Sequence, residues 1–284
     1  SELIGVKRSD NTTSLEYDKE KADFFAKFMP KHIAQTGEVF AEDEKHYLVI
    51  SKVGDKTLYD ILKTSTNPDD LKYFKRHIVQ TCAIHELSKD APFKAVEEVY
   101  DENYALKRIQ NPLSKYISIS QNLAEILMQF YLNANKSDFL VMDSDCTLKN
   151  AIVDRHGKVI EIDHESRLLV PQSKEVVNAA LYMPTQYGFK LVDLAIEGFT
   201  QGKNMTTAQK NKYVKEVHEM AVPRSFELMA YRQRDILAGQ NFDKTHLLFH
   251  LDMALHFSEL TKVGDAYKRG LVEEVEKIKR ELIM

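Results

Sequence analysis

Tryptophan is absent from this chain of 284 residues, glycine is limited to 10 positions, and there are only two cysteines, Cys82 and Cys146. Two widely spaced cysteines exclude a disulfide framework and a CxxC metal pair, and Cys82, set in an apolar helical stretch, reads as buried and inert. Scarce glycine leaves few tight turns and favours helices. No apolar run approaches the roughly 20 residues needed to span a bilayer, and no signal-peptide core is visible. Charge of one sign is also missing: 39 Lys and Arg stand against 43 Asp and Glu, for a net charge of −4. Because the basic residues are dispersed, the counterion-displacing stripe that nucleic-acid binding requires is not there. The expectation is a reduced, cytoplasmic protein with neither a nucleic acid nor a membrane as partner. Composition says nothing of its oligomeric state.

What is present reads as an α+β organisation: a little sheet first, a hairpin in the middle, helices elsewhere. Residues 3–8 form a strand. Ser14 caps a helix over about 15–29, with Tyr17, Phe24, Phe25 and Phe28 on one stripe. Pro30 and Gly37 punctuate the stretch that follows. Residues 46–51 form an apolar strand, and a turn at 53–57 leads into a helix near Thr57. Asn67-Pro68 opens another helix running to about 87. The chain is mainly helical from 90 to 138, strongest at 120–134. A strand at 139–142 precedes two short strands, 151–153 and 158–162, joined at His156-Gly157. From about 173 onward the pattern is helical, with Thr206 and Gln209 as a capping box and an amphipathic helix at 265–282.

The informative stretch is 141–167. Asp145 is the only Asp with an Asn five positions later, Asn150. Alone, such a pair is expected by chance roughly once in a chain this long. Here it is followed by a hairpin, AIVDRHGKVIEI, that returns the chain so that Asp163 comes back beside the loop holding Asp145 and Asn150. One carboxylate that takes a hydroxyl proton, and an Asn and a second carboxylate that hold hard cations, is the set phosphoryl transfer needs.

Asp145, Asn150 and the run Ile162-Asp163-His164-Glu165 resemble the signature of the aminoglycoside phosphotransferase and choline kinase family, H-G-D-x-x-x-x-N followed by a hairpin and I-D-[WF]-E. Residues 47–62 look like that family's hinge, and 78–90 are similar to its "LAxLHxL" helix. Val6-Lys7-Arg8 resembles its lysine-bearing strand, and Asp193-Leu194-Ala195 echoes its "DLA". The resemblance implies a protein-kinase-like two-lobed fold, with a reduced N-terminal β lobe over 1–52 and a helical C-terminal lobe over 53–284, its catalytic hairpin loop lying at 139–167. It implies an ATP- and Mg2+-dependent phosphotransferase acting on a hydroxyl of a small molecule such as an aminoglycoside, choline or a sugar. Asp145 would be the base, and Asn150 and Asp163 the magnesium ligands. Lys7 would contact the α and β phosphates with Glu20, or Glu16, as its partner, and the backbone of Ser51 and Val53 would receive adenine. The sequence departs from the pattern at Asp143 and Ser144, which stand where the family has His and Gly, and no glycine-rich loop precedes Lys7. A pseudokinase or nucleotide-binding module is therefore the competing reading, and a Ser/Thr protein kinase a third.

Other residues have simpler readings. His85 reads as a buried histidine bonding near the catalytic loop. His246, His250 and His256 lack a third ligand at convincing spacing and read as helix packing. Tyr182, Tyr187, Phe189 and Phe199 read as core, Arg232 and Arg234 as a solvated helix face, and Glu165 either as a metal-site auxiliary or as a loop brace.

Overall fold

The computed structural model describes residues 4–93, 96–97, 103, 107, 115–117, 119–134, 140–142, 145–164, 166–181, 187, 189–240 and 244–283. Strand β1 (Ile4–Ser9) leads into helix α1 (Thr12–Phe28), then strands β2 (Thr36–Glu42) and β3 (Lys45–Ser51). The three strands form an antiparallel sheet in the order β1-β3-β2, and α1 packs on it. The cap of α1 is Asn11, whose side chain accepts from the Thr13 N–H, and not the expected Ser14. Asn at this position satisfies a free N–H two residues on, which lets the helix begin earlier. Strand β2 was not foreseen. Most of the strand is half-exposed or exposed, and Thr36, Gly37, Glu38 and Glu42 flank Val39-Phe40-Ala41 without a clean alternation; its pairing with β3 creates it.

After β3, Gly54 brings the chain against the central hairpin. A Cβ there would sit 2.8 Å from the Val153 carbonyl oxygen, so only glycine fits the approach. Strand β4 (Lys56–Thr57) then pairs with β7 (Ala151–Val153), which pairs with β8 (Val159–Glu161). Helix α2 (Leu58–Thr64) starts with a reciprocal Thr57–Asp60 capping box. Asn67 and Pro68 make a single 3-10 turn ahead of α3 (Leu71–Ser88). A third small sheet joins β5 (Val96–Glu97), β6 (Leu140–Met142) and β9 (Leu168–Pro171), in the order β5-β9-β6. The expected helical run over 90–138 is described at 121–134, which is helix α4 (Gln121–Ala134); much of the remainder lies outside the described residues.

The remaining mass is helical: α5 (Gln172–Leu181), α6 (Lys190–Gly202), α7 (Thr207–Leu237), α8 (Lys244–Glu259) and α9 (Asp265–Ile283). The Thr206–Gln209 box caps α7 as the sequence indicates. One large apolar core runs through these helices, α2, α3 and the central hairpin. A smaller one, built on Tyr17, Phe25, Ile84 and Phe93, joins α1 to α3. The architecture is thus small sheets toward the N-terminus and a large helical C-terminal part. No described helix is long and apolar enough to cross a membrane.

The C-terminal histidines are packing residues. His256 stacks on Phe189 with ring centroids 4.1 Å apart, and His250 is buried. Arg232 is also buried, 3% exposed, beside Asp235, which corrects the expectation of a solvated face; Arg234 is the exposed member of that pair and also bonds Asp235. Burial, with Arg232 and His246 adding repulsion, pulls the His250 pKa down from 6.5 to about 3. The unfolded chain therefore takes up a proton on this residue that the folded chain refuses. The stability conferred by a neutral His250 is complete above pH 6.5 and is lost as pH falls toward 3. His250→Leu should lose about 2 kcal/mol less stability than the parent between pH 7 and pH 5, measured by urea unfolding at both pH values.

Candidate active site

The site begins at Lys7. Alternation along β1 turns Val6 and Arg8 outward and Lys7 inward, toward α1. Lys7 Nζ donates to Asp18 Oδ2 at 2.9 Å and to Asp163 Oδ1 at 2.6 Å. Asp18 itself is 2% exposed, and its other oxygen accepts the His164 backbone N–H at 2.6 Å. One carboxylate on α1 thus fastens both the lysine and the segment that follows Asp163. Burial alone would lower the Lys7 pKa, but Asp18 and Asp163 outweigh it and hold the pKa above its ordinary value. The ammonium stays charged.

The helix carboxylate is Asp18 and not Glu20 or Glu16. At 100° per residue Glu20 points some 200° away from Asp18 around α1, and both glutamates are exposed. The overlooked signal is a burial stripe: Leu15, Asp18, Ala22 and Phe25 follow the i, i+3, i+7, i+10 spacing of the face against the sheet. An acid on that stripe needs a cation, and Lys7 is the cation supplied.

The central hairpin delivers the second half. Gly157, at φ +73°, closes the turn, with Asp154 Oδ1 accepting the N–H groups of His156 and Lys158 at 2.8 Å each. Ala151 pairs with Glu161, and the Ile162 N–H donates to the Asn150 carbonyl at 2.8 Å. Asp163 therefore emerges one residue past Asn150's partner, at the same end of the hairpin. Asn150 Nδ2 donates to Asp145 Oδ2 at 2.8 Å and to the Asp145 carbonyl at 3.1 Å. Asp145, Asn150, Asp163 and Lys7 are accordingly brought together. Both acids lie in the left-handed region, Asp145 at φ 44° and Asp163 at φ 66°. Side chains other than glycine adopt it rarely, and such backbone concentrates at functional sites.

Buried histidines support the loop. His77 Nδ1 lies 2.8 Å from Glu161 Oε1, and its Nε2 lies 3.0 Å from the Cys146 carbonyl. His85 Nε2 lies 3.1 Å from Glu175 Oε2, while the Glu175 carbonyl accepts the Cys146 thiol at 3.0 Å. Sequence reasoning singled out His85 and missed His77, although both sit on the buried face of α3. Cys82 is buried as expected, and burial pushes its thiol up to about 11. His164, next to Asp163, is buried against Phe25, and burial with Lys21 nearby lowers its pKa to about 4. Asp143, Ser144, Glu165 and Tyr182 lie outside the described residues.

The two backbone positions expected to receive adenine differ. The Ser51 N–H already donates to the Gln35 carbonyl at 2.8 Å, so its donor is committed to the sheet. Val53 follows the end of β3, in the open turn before β4, and makes no such bond among the described residues. As an N–H donor, Val53 is therefore the more available of the two.

Among the described residues no group of three or more His, Cys, Asp or Glu side chains could hold a metal ion. Magnesium asks for less: one or two protein oxygens, with waters and phosphate oxygens completing an octahedron. Asn150, its Nδ2 spent on Asp145, keeps Oδ1 as an acceptor, and Asp163 brings a carboxylate to the same end of the hairpin. This donor set fits Mg2+. Since Asp18 holds Lys7 and the His164 N–H together, Asp18→Ala should lower stability by about 2–4 kcal/mol, whereas Glu20→Ala should stay within about 0.5 kcal/mol of the parent. Chemical denaturation of the two variants checks this, and equal losses would remove the assignment of Asp18.

Comparison with known proteins gives a fold and no sequence relative. No family model matches the chain, and no curated protein matches it by sequence. Among solved structures it is similar to an aminoglycoside-3′-phosphotransferase of type VIII, with a TM-score of 0.50 and 12% identity over 76% of this chain and 84% of the other. It is also similar to macrolide 2′-phosphotransferase MphH from Brachybacterium faecium, with a TM-score of 0.50 and 9% identity over 89% of this chain and 84% of the other. At such identities the likeness concerns the fold alone, and that fold is the one shared by the protein-kinase-like phosphotransferases.

Proposed function

We propose that this chain transfers the γ-phosphoryl group of ATP, in a Mg2+-dependent reaction, to a hydroxyl of a small molecule. The reading rests on one observation: a strand lysine is ion-paired to the acid that follows the hairpin, at the end where Asn150 grips Asp145. Its support is the fold shared with two small-molecule phosphotransferases.

In this reading Asp145 accepts the proton of the acceptor hydroxyl as its oxygen attacks the γ-phosphorus, and ADP leaves from the opposite side. Asn150 fixes the Asp145 carboxylate and, with Asp163, would hold Mg2+. Mg2+ held there would supply positive charge to offset that of the phosphates. Lys7 reaches the α and β phosphates, and Asp18 keeps it charged and aimed. The Val53 backbone receives adenine. Most of the protein's contribution is positioning and electrostatics, because the transition state is loose and highly charged.

A nucleotide-binding module without turnover is the second reading. It is favoured by Asp143 and Ser144, which stand where the resembled signature has His and Gly. Turnover of ATP with a library of hydroxyl acceptors separates the two. Asp145→Asn should reduce kcat by about 10²–10⁴ while leaving nucleotide affinity near that of the parent. Asp163→Ala should abolish Mg2+-dependent nucleotide binding. Unchanged turnover in both variants would refute these roles; Mg-ATP binding without turnover of any acceptor would establish the module.

A further inference from the structure

Helix α3 crosses behind the catalytic loop and sends His77, fully buried, between two elements that both carry site residues. On one side lies the carbonyl of Cys146, the residue after Asp145. On the other lies the carboxylate of Glu161, the last residue of β8, two before Asp163. A carbonyl oxygen can only accept, so Nε2 must carry a proton. Nδ1, on the other side of the ring, meets the Glu161 carboxyl group, so the imidazole is bonded at both ends.

We propose that His77 is a positioning residue: it holds the Asp145 loop to α3 by donating from Nε2 to the Cys146 carbonyl, while Glu161, on the strand leading to Asp163, fixes the ring from its other side. Asp145 lies at φ 44° in a loop that bonds within itself at Thr147 and Asn150 and that α2 also holds, through the Tyr59 N–H on the Leu148 carbonyl. Left-handed backbone is open to an aspartate at a modest cost, and contacts around the loop help to hold it. Cys146 carries two of these contacts. Its thiol is tied to α5 through the Glu175 carbonyl and its carbonyl to α3 through His77, so the residue beside Asp145 is held from two helices.

The charge balance supports the geometry. Burial would lower the His77 pKa, yet the Glu161 carboxylate outweighs it and the net shift is upward. Glu161 is itself 4% exposed, so the pair is closed off from water. On α3, Phe74, Ile78 and Ile84 are buried by packing alone, whereas the buried polar residues each have a partner: Gln80 on the Val159 carbonyl, His85 beside Glu175, and His77 between Cys146 and Glu161.

This inference rests on the phosphotransferase reading for its consequence in turnover but not for the link itself, and two conservative replacements separate these. The amide nitrogen of Gln lies near the Nε2 position of His, and that of Asn near Nδ1. His77→Gln should keep the bond to Cys146 and lose the one to Glu161; His77→Asn should do the reverse. Each variant keeps one of two buried bonds, so a purely structural role would lower Tm and slow turnover equally in both. Positioning predicts a split. His77→Asn should reduce kcat by about 10²-fold, with KM for ATP little changed. His77→Gln should stay within a few-fold of the parent. Independently of any activity, amide hydrogen exchange at Thr147 and Asn150 should quicken in His77→Asn and not in His77→Gln. Equal exchange at those amides in the two variants, both folded, would overturn the link. Should one variant not fold, Glu161→Gln provides the further check, since it retains a partner for Nδ1 and should leave loop exchange as in the parent; faster loop exchange there would count against the proposal. The expected exchange split without turnover in any form would leave the link standing and remove the phosphotransferase reading.

Discussion

One ammonium organises the molecule's N-terminal third and its chemistry together. Lys7 is held by two carboxylates that come from different parts of the chain, Asp18 on α1 and Asp163 after the central hairpin. Bringing a charged amine into a mostly buried position costs several kcal/mol unless it is paired and hydrogen-bonded, and here both conditions are met. The result is a three-way clamp in which β1, α1 and the 163–164 segment fix one another. The second oxygen of Asp18, on the His164 N–H, extends the clamp to the backbone. Neighbouring contacts run the same way: Lys21 donates to the Ser166 carbonyl, and the Arg167 guanidinium lies 4.2 Å from the centre of the Tyr17 ring. The face of α1 toward this segment is therefore polar and specific, while its far end is sealed by the apolar contact of Phe25 with Phe93.

The other half of the site is held by scaffolding and not by solvent-exposed loop chemistry. A tight hairpin sets Asn150 opposite Ile162, which brings the loop acid and the strand-end acid to the same edge. Two helices hold the loop from behind, through the histidines of α3 and the Glu175 carbonyl of α5. These buried polar contacts are individually modest. Together they specify a strained backbone that apolar packing could not define, because hydrophobic contacts have no preferred direction.

Much of this could be read in the sequence, and what could not has physical reasons. The hairpin announces itself through two short apolar runs, 151–153 and 159–160, on either side of His156-Gly157, so the nearness of Asn150 and Asp163 follows from register. The Thr206–Gln209 box is purely local and is found as expected. The identity of the Lys7 partner was not legible by the same means. Acids at 16, 18 and 20 are chemically alike, and only the face that α1 turns to the sheet chooses among them. Strand β2 has no amphipathic pattern of its own and exists through pairing. Arg232 reads as surface because arginine is usually exposed, yet it lies beside Asp235 inside the helical core. His77 was hidden for a related reason: a histidine among apolar helix residues looks like filler until both of its partners, 69 and 84 residues away, are in place. Long-range polar contacts are the part of a fold that local pattern carries least.

The central claim is that Asn150 and Asp163 share a cation beside Lys7 and a nucleotide. Manganese in place of magnesium makes that location directly visible, because a paramagnetic ion broadens the resonances of nearby amides. With Mn-ATP bound, amide NMR signals of residues 145–150 and 161–164 should broaden first, and excess Mg-ATP should restore them. Broadening centred elsewhere on the chain, or none at saturating Mn-ATP, would contradict the account.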